Sequence, residues 1–296
     1  IIAPGDCYTE VTGKVETECP YVQDSVEAWK DYKNHAFFEA PSIRKVGDTY
    51  YFVFSSQVMH ELAYATSKNP TSGFKYQGVI VSNADIGIDS YKPADMPAAY
   101  GANNHGGFVK IQDDFYIFYH RHTNNTWYSR QGCAEKIKIL PDGTIPQVEI
   151  TSCGLNGGPL EAKGEYGTYI ACNMFIPEKP SMYVGAHNIP HVVQDGVDGD
   201  ENPGYIVGIS NNTTIGFKYF EFKGVKKITL ETRAYANGYF EIRTELGGKV
   251  WGQVKVDYTN IWVKGSCEVA IPDGVHALYI TYKGEGNPQL RKIWFE

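Results

Sequence analysis

The chain has 296 residues, with 27 Lys+Arg against 34 Asp+Glu and a formal net charge of −7, a balance that excludes a basic nucleic-acid binder. Its 22 Tyr, 14 Phe and 5 Trp, with 31 Gly and 15 Pro punctuating short apolar runs, describe a β-rich globular protein of one large domain or two ordinary ones. No apolar run approaches the ~18 residues that cross a bilayer, and long amphipathic helical patterns are nearly absent, so transmembrane and coiled-coil readings fall away.

The chain starts at Ile1 with neither an initiator Met nor a charged and apolar leader, which reads as a processed, truncated or internally started chain. None of the six cysteines sits in a C-x-x-C pair; Cys7 and Cys19 are spaced for pairing in an oxidising compartment, and the others read as buried thiols. An ungapped shift of 65 residues then lays Glu39-Ala-Pro-Ser-Ile-Arg-Lys45 and the run to Phe54 on Asn104-His-Gly-Gly-Phe-Val-Lys110 and the run to Tyr119. Each unit reads strand, tight turn, strand, with turn centres at Gly47-Asp48 and Asp113-Asp114. Further short strands are predicted at 62–66 and 76–81 in the first unit, and at 127–131 and 136–140 in the second. Four short strands per unit is the rhythm of a propeller blade, and a third unit is predicted to include residues 166–174.

Around residues 187–204 polar residues with Gly and Pro mark a linker. Beyond it, runs at 216–222, 227–233, 239–243 and 278–282 alternate apolar and polar with period two, as in a β-sandwich. The predicted organisation is blades over 1–187, a linker over 188–203 and a sandwich over 204–296.

No P-loop, dinucleotide fingerprint or G-x-S-x-G elbow occurs, and His60-Glu61 lacks a second His at zincin spacing. Asp198-Gly-Asp200-Glu-Asn202 mimics the start of a calcium loop, but Pro203 stands where the turn glycine belongs and the twelfth-position Glu is missing, so it reads as a solvated acidic linker. Chemistry concentrates in His35-Ala-Phe-Phe-Glu39-Ala-Pro-Ser-Ile-Arg44. A carboxyl beside two Phe at a strand start is a candidate for desolvation, which favours its protonated, proton-donating form; the plainer alternative pairs Glu39 with Arg44.

That segment, with Tyr50-Tyr-Phe-Val-Phe-Ser-Ser56, His60-Glu-Leu-Ala-Tyr-Ala-Thr-Ser67, Val81-Ser-Asn-Ala-Asp-Ile-Gly87, Asn103-Asn-His-Gly106, Tyr116-Ile-Phe-Tyr-His-Arg-His122, Ser129-Arg-Gln-Gly-Cys133 and Thr151-Ser-Cys-Gly-Leu-Asn-Gly157, resembles glycoside hydrolase family 43 in family order. The resemblance implies an all-β five-bladed propeller, of which about three blades lie in this chain, and inverting hydrolysis of terminal arabinofuranosyl or xylosyl linkages. It places Glu39 at the general acid, His105 at the central histidine that holds water or a calcium-bound water, Arg130 at the arginine touching sugar and acid, and Phe38 beside the acid at the substrate. No cofactor is required, and a calcium ion at the propeller axis, reached from His105 through water, is compatible with it.

The inverting mechanism needs a second carboxylate ~6.5–9.5 Å from the acid. The family carries that base and an acid-tuning Asp upstream of the acid, whereas here Asp6, Asp24 and Asp31 stand in unlike contexts. The resemblance therefore implies an N-terminal propeller segment, as a separate chain or as residues outside this numbering, without which the chain is inactive. Residues 204–296 resemble a family 6 carbohydrate-binding module, a jelly-roll sandwich, with Trp262, Asn287 and Tyr235 nearest to its sugar-binding residues. The expected partner is a hemicellulose oligosaccharide or polysaccharide, with neither nucleic acid nor membrane. The expected location is secreted, cell-surface or periplasmic, with cytoplasmic action on imported oligosaccharides as the other option. A non-catalytic carbohydrate-binding protein on a propeller scaffold is the alternative of a different class, and an endo-acting arabinanase a third reading.

Overall fold

The computed structural model describes residues 8–9, 14–15, 35, 37–56, 60–82, 84–85, 98–179, 183–185, 187–196 and 204–296. Asp6, Asp24, Asp31, the Cys7–Cys19 pair and the 198–202 calcium-like run lie outside the described residues. The described residues are all-β apart from short 3-10 turns, and the chain divides into two compact units. The first takes in 1–93, 101–121 and 131–149, the second 94–100, 122–130 and 150–296.

In the first unit β1 (Tyr8–Thr9) and β2 (Lys14–Val15) form a two-stranded ladder. The chain then makes an antiparallel four-stranded meander of β3 (Phe37–Val46), β4 (Thr49–Ser56), β5 (Leu62–Ser67) and β6 (Lys75–Val81). A second meander follows, with β7 (Gly107–Ile111), β8 (Asp114–His122) and β9 (Arg130–Ile137). The 65-residue repeat holds at the turns: Gly47 and Gln112 open the two hairpins with φ of +57° and +55°. The second turn is thus centred on Gln112-Asp113, one residue earlier than the paired aspartates suggest. The strands predicted at 127–131 and 136–140 are one strand, β9, and residues 127–129 belong to the loop before it.

The inner face of the first meander is aromatic. Tyr51 and Tyr64 are buried on it, and Tyr51 meets Phe108 of β7 edge to face at 5.5 Å. The Tyr51 hydroxyl donates to the Gly143 carbonyl at 2.9 Å and the Tyr64 hydroxyl accepts from the Ile145 amide at 2.7 Å, so the segment after β9 is tied back to the first meander.

The second unit carries β10 (Leu160–Glu161), β11 (Gly164–Gly167), β12 (Asn173–Phe175), β13 (His191–Val193), β14 (Tyr205–Val207), β15 (Thr214–Phe222), β16 (Lys227–Ala234), β17 (Asn237–Arg243), β18 (Gly252–Val256), β19 (Thr259–Glu268), β20 (Gly274–Glu285) and β21 (Gln289–Phe295). They build two six-stranded sheets. One runs β10-β15-β20-β17-β18 with β12 against β15, and the other runs β13-β14-β21-β16-β19 with β11 against β21. Period-two alternation, reset by an irregularity between Phe217 and Phe220, places Phe217, Phe220, Phe222, Leu230, Phe240, Leu278, Ile280 and Ile293 in one continuous core.

Two boundary expectations are corrected here. Residues 166–174 are not a third blade: β11 pairs with β21, β12 pairs with β15, and the Tyr166 ring packs on Phe220 at 5.1 Å and Phe295 at 6.0 Å. A local strand pattern shows that a strand forms but not its partner, and here both partners lie further down the chain, that of β11 more than a hundred residues away. The described residues therefore hold two blade-like sheets, and the sandwich unit takes over at residue 150 rather than 204. Within the expected 188–203 linker, β13 is a sheet strand that pairs with β14.

Candidate active site

Glu39 stands where β3 is twice irregular. The register against β4 slips between Phe37 and Glu39 and again between Glu39 and Ser42, and Ala40 takes the left-handed region with φ +60°. Such bulges turn a side chain away from the regular alternation of a strand and recur beside active sites. Opposite lies His105, whose Nε2 is 2.9 Å from Glu39 Oε1. The close approach is made by the two glycines that follow it. A Cβ on Gly106 would collide with the Phe118 carbonyl oxygen and a Leu62 methyl, and one on Gly107 with the Ser42 hydroxyl.

The setting of the carboxyl differs from the desolvated one expected from its neighbours in sequence. The Glu39 side chain keeps 36% of its surface, and Phe38 is half exposed with its ring edge-on to His60 at 4.9 Å. Two adjacent Phe on an irregular strand do not wrap the residue that follows them. Arg44 does not take up the carboxyl either; its Nη1 donates to the Ile43 carbonyl at 2.8 Å.

Buried polar atoms gather around the pair. His60 has φ +50°, and burial holds its imidazole below its ordinary pKa, with the Glu39 charge pulling upward and His105 pulling downward. Ser55 pairs in register with Glu39, and Asn104 precedes His105 and accepts the His120 amide on Oδ1 at 3.3 Å. Ser55 Oγ, His60 Nδ1 and Asn104 Nδ2 are buried and make no hydrogen bond among the described residues. His105 also meets His120 edge-on at 5.5 Å, while His35 Nδ1 lies 3.1 Å from Glu61 Oε2. Chemically the set offers one carboxyl that can hand over a proton and a histidine that shares it.

A calcium ligated directly by these side chains fits the set poorly. It takes six to eight oxygens, whereas the donors near His105 are imidazoles and a carboxylate already engaged with His105. No group of three His, Cys, Asp or Glu that could hold a metal occurs among the described residues.

Arg130 belongs to the second unit, exposed at the start of β9, with Nη2 donating to the Trp127 carbonyl at 3.4 Å.

In the sandwich, Trp262 does not present a free face for a sugar. The Arg233 and Arg291 guanidinium groups stand 4.5 Å and 4.4 Å from its ring centre, and Tyr205 meets it edge-on at 5.2 Å. The Asn287 amide is spent on the Ile209 carbonyl at 2.8 Å. Tyr235, in the turn after β16, is 63% exposed and lies 5.3 Å from the ring of Tyr258, 65% exposed in the turn after β18. The sequence reading missed Tyr258; its signal was an aromatic beside Asp257 at a polar turn.

No protein-family profile matches the chain. It is 58% identical over 268 residues to a xylosidase/arabinosidase of Thermoclostridium stercorarium, an alignment that takes in 88% of this chain and 56% of that protein. The chain thus spans about half the length of this relative. Among solved structures it is similar to a glycoside hydrolase family 43 arabinoxylan arabinofuranohydrolase from Bacillus subtilis in complex with cellotetraose, with TM-score 0.48 and 18% identity over 88% of this chain and 54% of that one. A family 6 carbohydrate-binding module from Clostridium cellulolyticum in complex with xylose is similar with TM-score 0.37 and 17% identity, over 46% of this chain and 98% of that one.

Proposed function

We propose that this chain belongs to the family 43 glycoside hydrolases, a reading its motif order supports, and that the whole protein, like its 58% identical relative named xylosidase/arabinosidase, is a glycosidase, of the inverting exo-acting kind. It removes terminal α-L-arabinofuranosyl or β-D-xylosyl residues from arabinoxylan or xylan oligosaccharides, outside the cytoplasm if the polymer is its source. The observation that carries the reading is the Glu39–His105 pair at 2.9 Å on an irregular strand.

Glu39 in its protonated form donates to the glycosidic oxygen as the bond to the anomeric carbon lengthens. His105 bonds the same carboxyl and fixes the direction of that proton. The second carboxylate, which draws a proton from the attacking water on the opposite face of the sugar, comes from the N-terminal propeller segment. An apolar face of the first meander supports such a segment. Phe37, Phe52 and Phe74 follow one another along it as tilted rings at 6.1 Å and 5.7 Å, with Ile43 41% exposed beside them, and they line a groove of about 420 Å³ with Pro41 and Pro70. A β-sheet of the same kind, packed as β7 packs on the other face, would cover it. In the sandwich, the Tyr235–Tyr258 pair is the proposed sugar-stacking site.

The test is Glu39→Gln in the whole protein. Loss of a general acid slows cleavage of an unactivated arabinofuranoside or xyloside by roughly 10²–10⁴-fold and spares a substrate whose leaving group departs without a proton. Equal loss on both substrates, or none on either, would remove Glu39 from that role. The first-formed sugar anomer, read by NMR, reports inversion.

A further inference from the structure

The loop between β8 and β9 holds two aromatic rings in solvent on a heavily braced scaffold. Trp127 is 57% exposed and Tyr128 is 90% exposed. Burial is therefore not what orders them, yet the loop is tied down at almost every residue. The Thr123 amide donates to the Ser129 carbonyl at 2.9 Å, the hydroxyls of the same two residues share a proton at 2.7 Å, and Asn124 Nδ2 donates to Ser129 Oγ at 2.7 Å. Beyond the loop, the Asn124 amide donates to the Val192 carbonyl at 2.8 Å and Asn125 Nδ2 to the His187 carbonyl at 3.0 Å. Asn125 Oδ1 accepts the Gly185 amide at 2.8 Å. The indole Nε1 of Trp127 is spent on the Val184 carbonyl at 3.3 Å, which fixes the plane of the ring.

The backbone is strained to make this shape, because Asn124 and Asn125 are both left-handed, with φ of +55° and +50°. Two consecutive residues in that region cost on the order of 1–3 kcal/mol each. A strained, over-determined loop that holds rings out in water marks a surface built to contact something. The neighbours of the rings choose what. The tip is otherwise polar, with Thr126, Asn124 and Arg130 around it, so it lacks the apolar area of a protein interface, which buries ~800 Å² on each partner. One ring face fixed by its indole bond and a second ring beside it in solvent, set among donors and acceptors, suit a ligand with flat C–H faces and a rim of hydroxyls.

We propose that Trp127 and Tyr128 form a stacking platform for the pyranose main chain of a xylan-type polysaccharide. The platform engages the polymer through successive sugar rings and is not needed for a small glycoside. This rests on the glycosidase reading above, and it adds a polymer-binding surface that belongs neither to the Glu39 pair nor to the Tyr235–Tyr258 turns.

The experiment uses the whole protein in a Tyr235→Ala/Tyr258→Ala background, so that retention cannot come from those turns. Retardation in native gels containing soluble arabinoxylan is compared for this background, for Trp127→Ala/Tyr128→Ala and for Trp127→Phe. Each variant is also assayed on an aryl arabinofuranoside and an aryl xyloside. The expected result is retardation weakened on the order of tenfold by the alanine pair, as for an aromatic contact residue, largely kept by Trp127→Phe, with aryl glycoside hydrolysis unchanged. Unchanged retardation on losing both rings overturns the platform, as does a background protein that hydrolyses aryl glycosides without being retarded, and the glycosidase reading survives both. Retardation that depends on Trp127 in a protein that hydrolyses neither aryl glycoside supports the platform and removes the glycosidase reading. Neither hydrolysis nor retardation overturns both.

Discussion

The sandwich and the first meander are both antiparallel sheets rich in aromatics, yet they close their structures in opposite ways. In the sandwich the facing sheets bury each other's apolar faces, with Phe217, Phe220, Phe222 and Phe240 at 0% exposure. In the first meander one face buries Tyr51 and Tyr64, while the other leaves Phe37, Ile43, Phe52 and Phe74 lining a groove. It also holds Ser55 and His60, with Asn104 from the segment before β7, whose buried polar atoms are unbonded among the described residues next to a carboxyl. The difference teaches where to look for chemistry: the region that buries both its faces offers packing, and the region that leaves an apolar face open carries the proposed acid.

The sharpest way to break this comparison is a matched pair of truncations in the whole protein, followed by denaturant unfolding. Phe220→Ala is expected to cost about 3–5 kcal/mol, the usual loss for a fully buried Phe. If a further β-sheet covers the groove, Phe52→Ala costs about as much. A cost below ~1 kcal/mol would show a face that stays in water and would remove the proposed covering segment.

Next in size is Gly106→Ala. The added methyl must displace both the Phe118 carbonyl and the Leu62 methyl, and overpacking of this kind costs about 1–3 kcal/mol. The larger consequence is functional, because the shift falls on the residue after His105. A displacement near 1 Å is enough to lower turnover on the order of 10²-fold. Turnover that survives while stability falls would show that the His105–Glu39 contact is not needed for the reaction. In the sandwich the counterpart is Tyr258→Ala, expected to weaken xylan retention on the order of tenfold with no loss of turnover on aryl glycosides. Equal effects on retention and turnover would undo the division of labour between the two regions.

The same contrast governed what could be read from the sequence. Strands such as β15, β16 and β20 were legible because apolar alternation in the sequence is a local property, although bulges interrupt it in β15 and β16, and the 65-residue repeat fixed the two hairpins to within a residue. Pairing was not local. Tyr166 and Met174 lie in strands whose partners, β21 and β15, come later in the chain, so their sheet could not be assigned from their own pattern. Glu39 and His105 were legible as motif residues, and the glycines after His105 hinted at close approach. The exposure of Glu39 was not legible, since a bulge and a left-handed alanine set it. Trp262 was misread as a sugar platform because its two covering arginines come from other strands, whereas Tyr258 was overlooked because a lone turn aromatic carries no pattern.

The smallest expected effect separates the regions by pH. Burial lowers the pKa of His60 in the first unit and of His191 in the second, each from an ordinary value of 6.5. A histidine held low when folded stays neutral while the unfolded chain takes up its proton. Stability is therefore full above about pH 6.5 and falls as the pH drops below it, until the folded histidine also protonates. The two differ in what opposes burial. His191 donates Nδ1–H to the Ile189 carbonyl at 2.7 Å, whereas His60 feels the Glu39 carboxylate. Removing that charge with Glu39→Gln should move the NMR titration midpoint of His60 further down and leave His191 where it was. A His60 midpoint that stays put would mean that the Glu39 carboxylate does not reach it, and that the polar cluster around the acid is not one electrostatic unit.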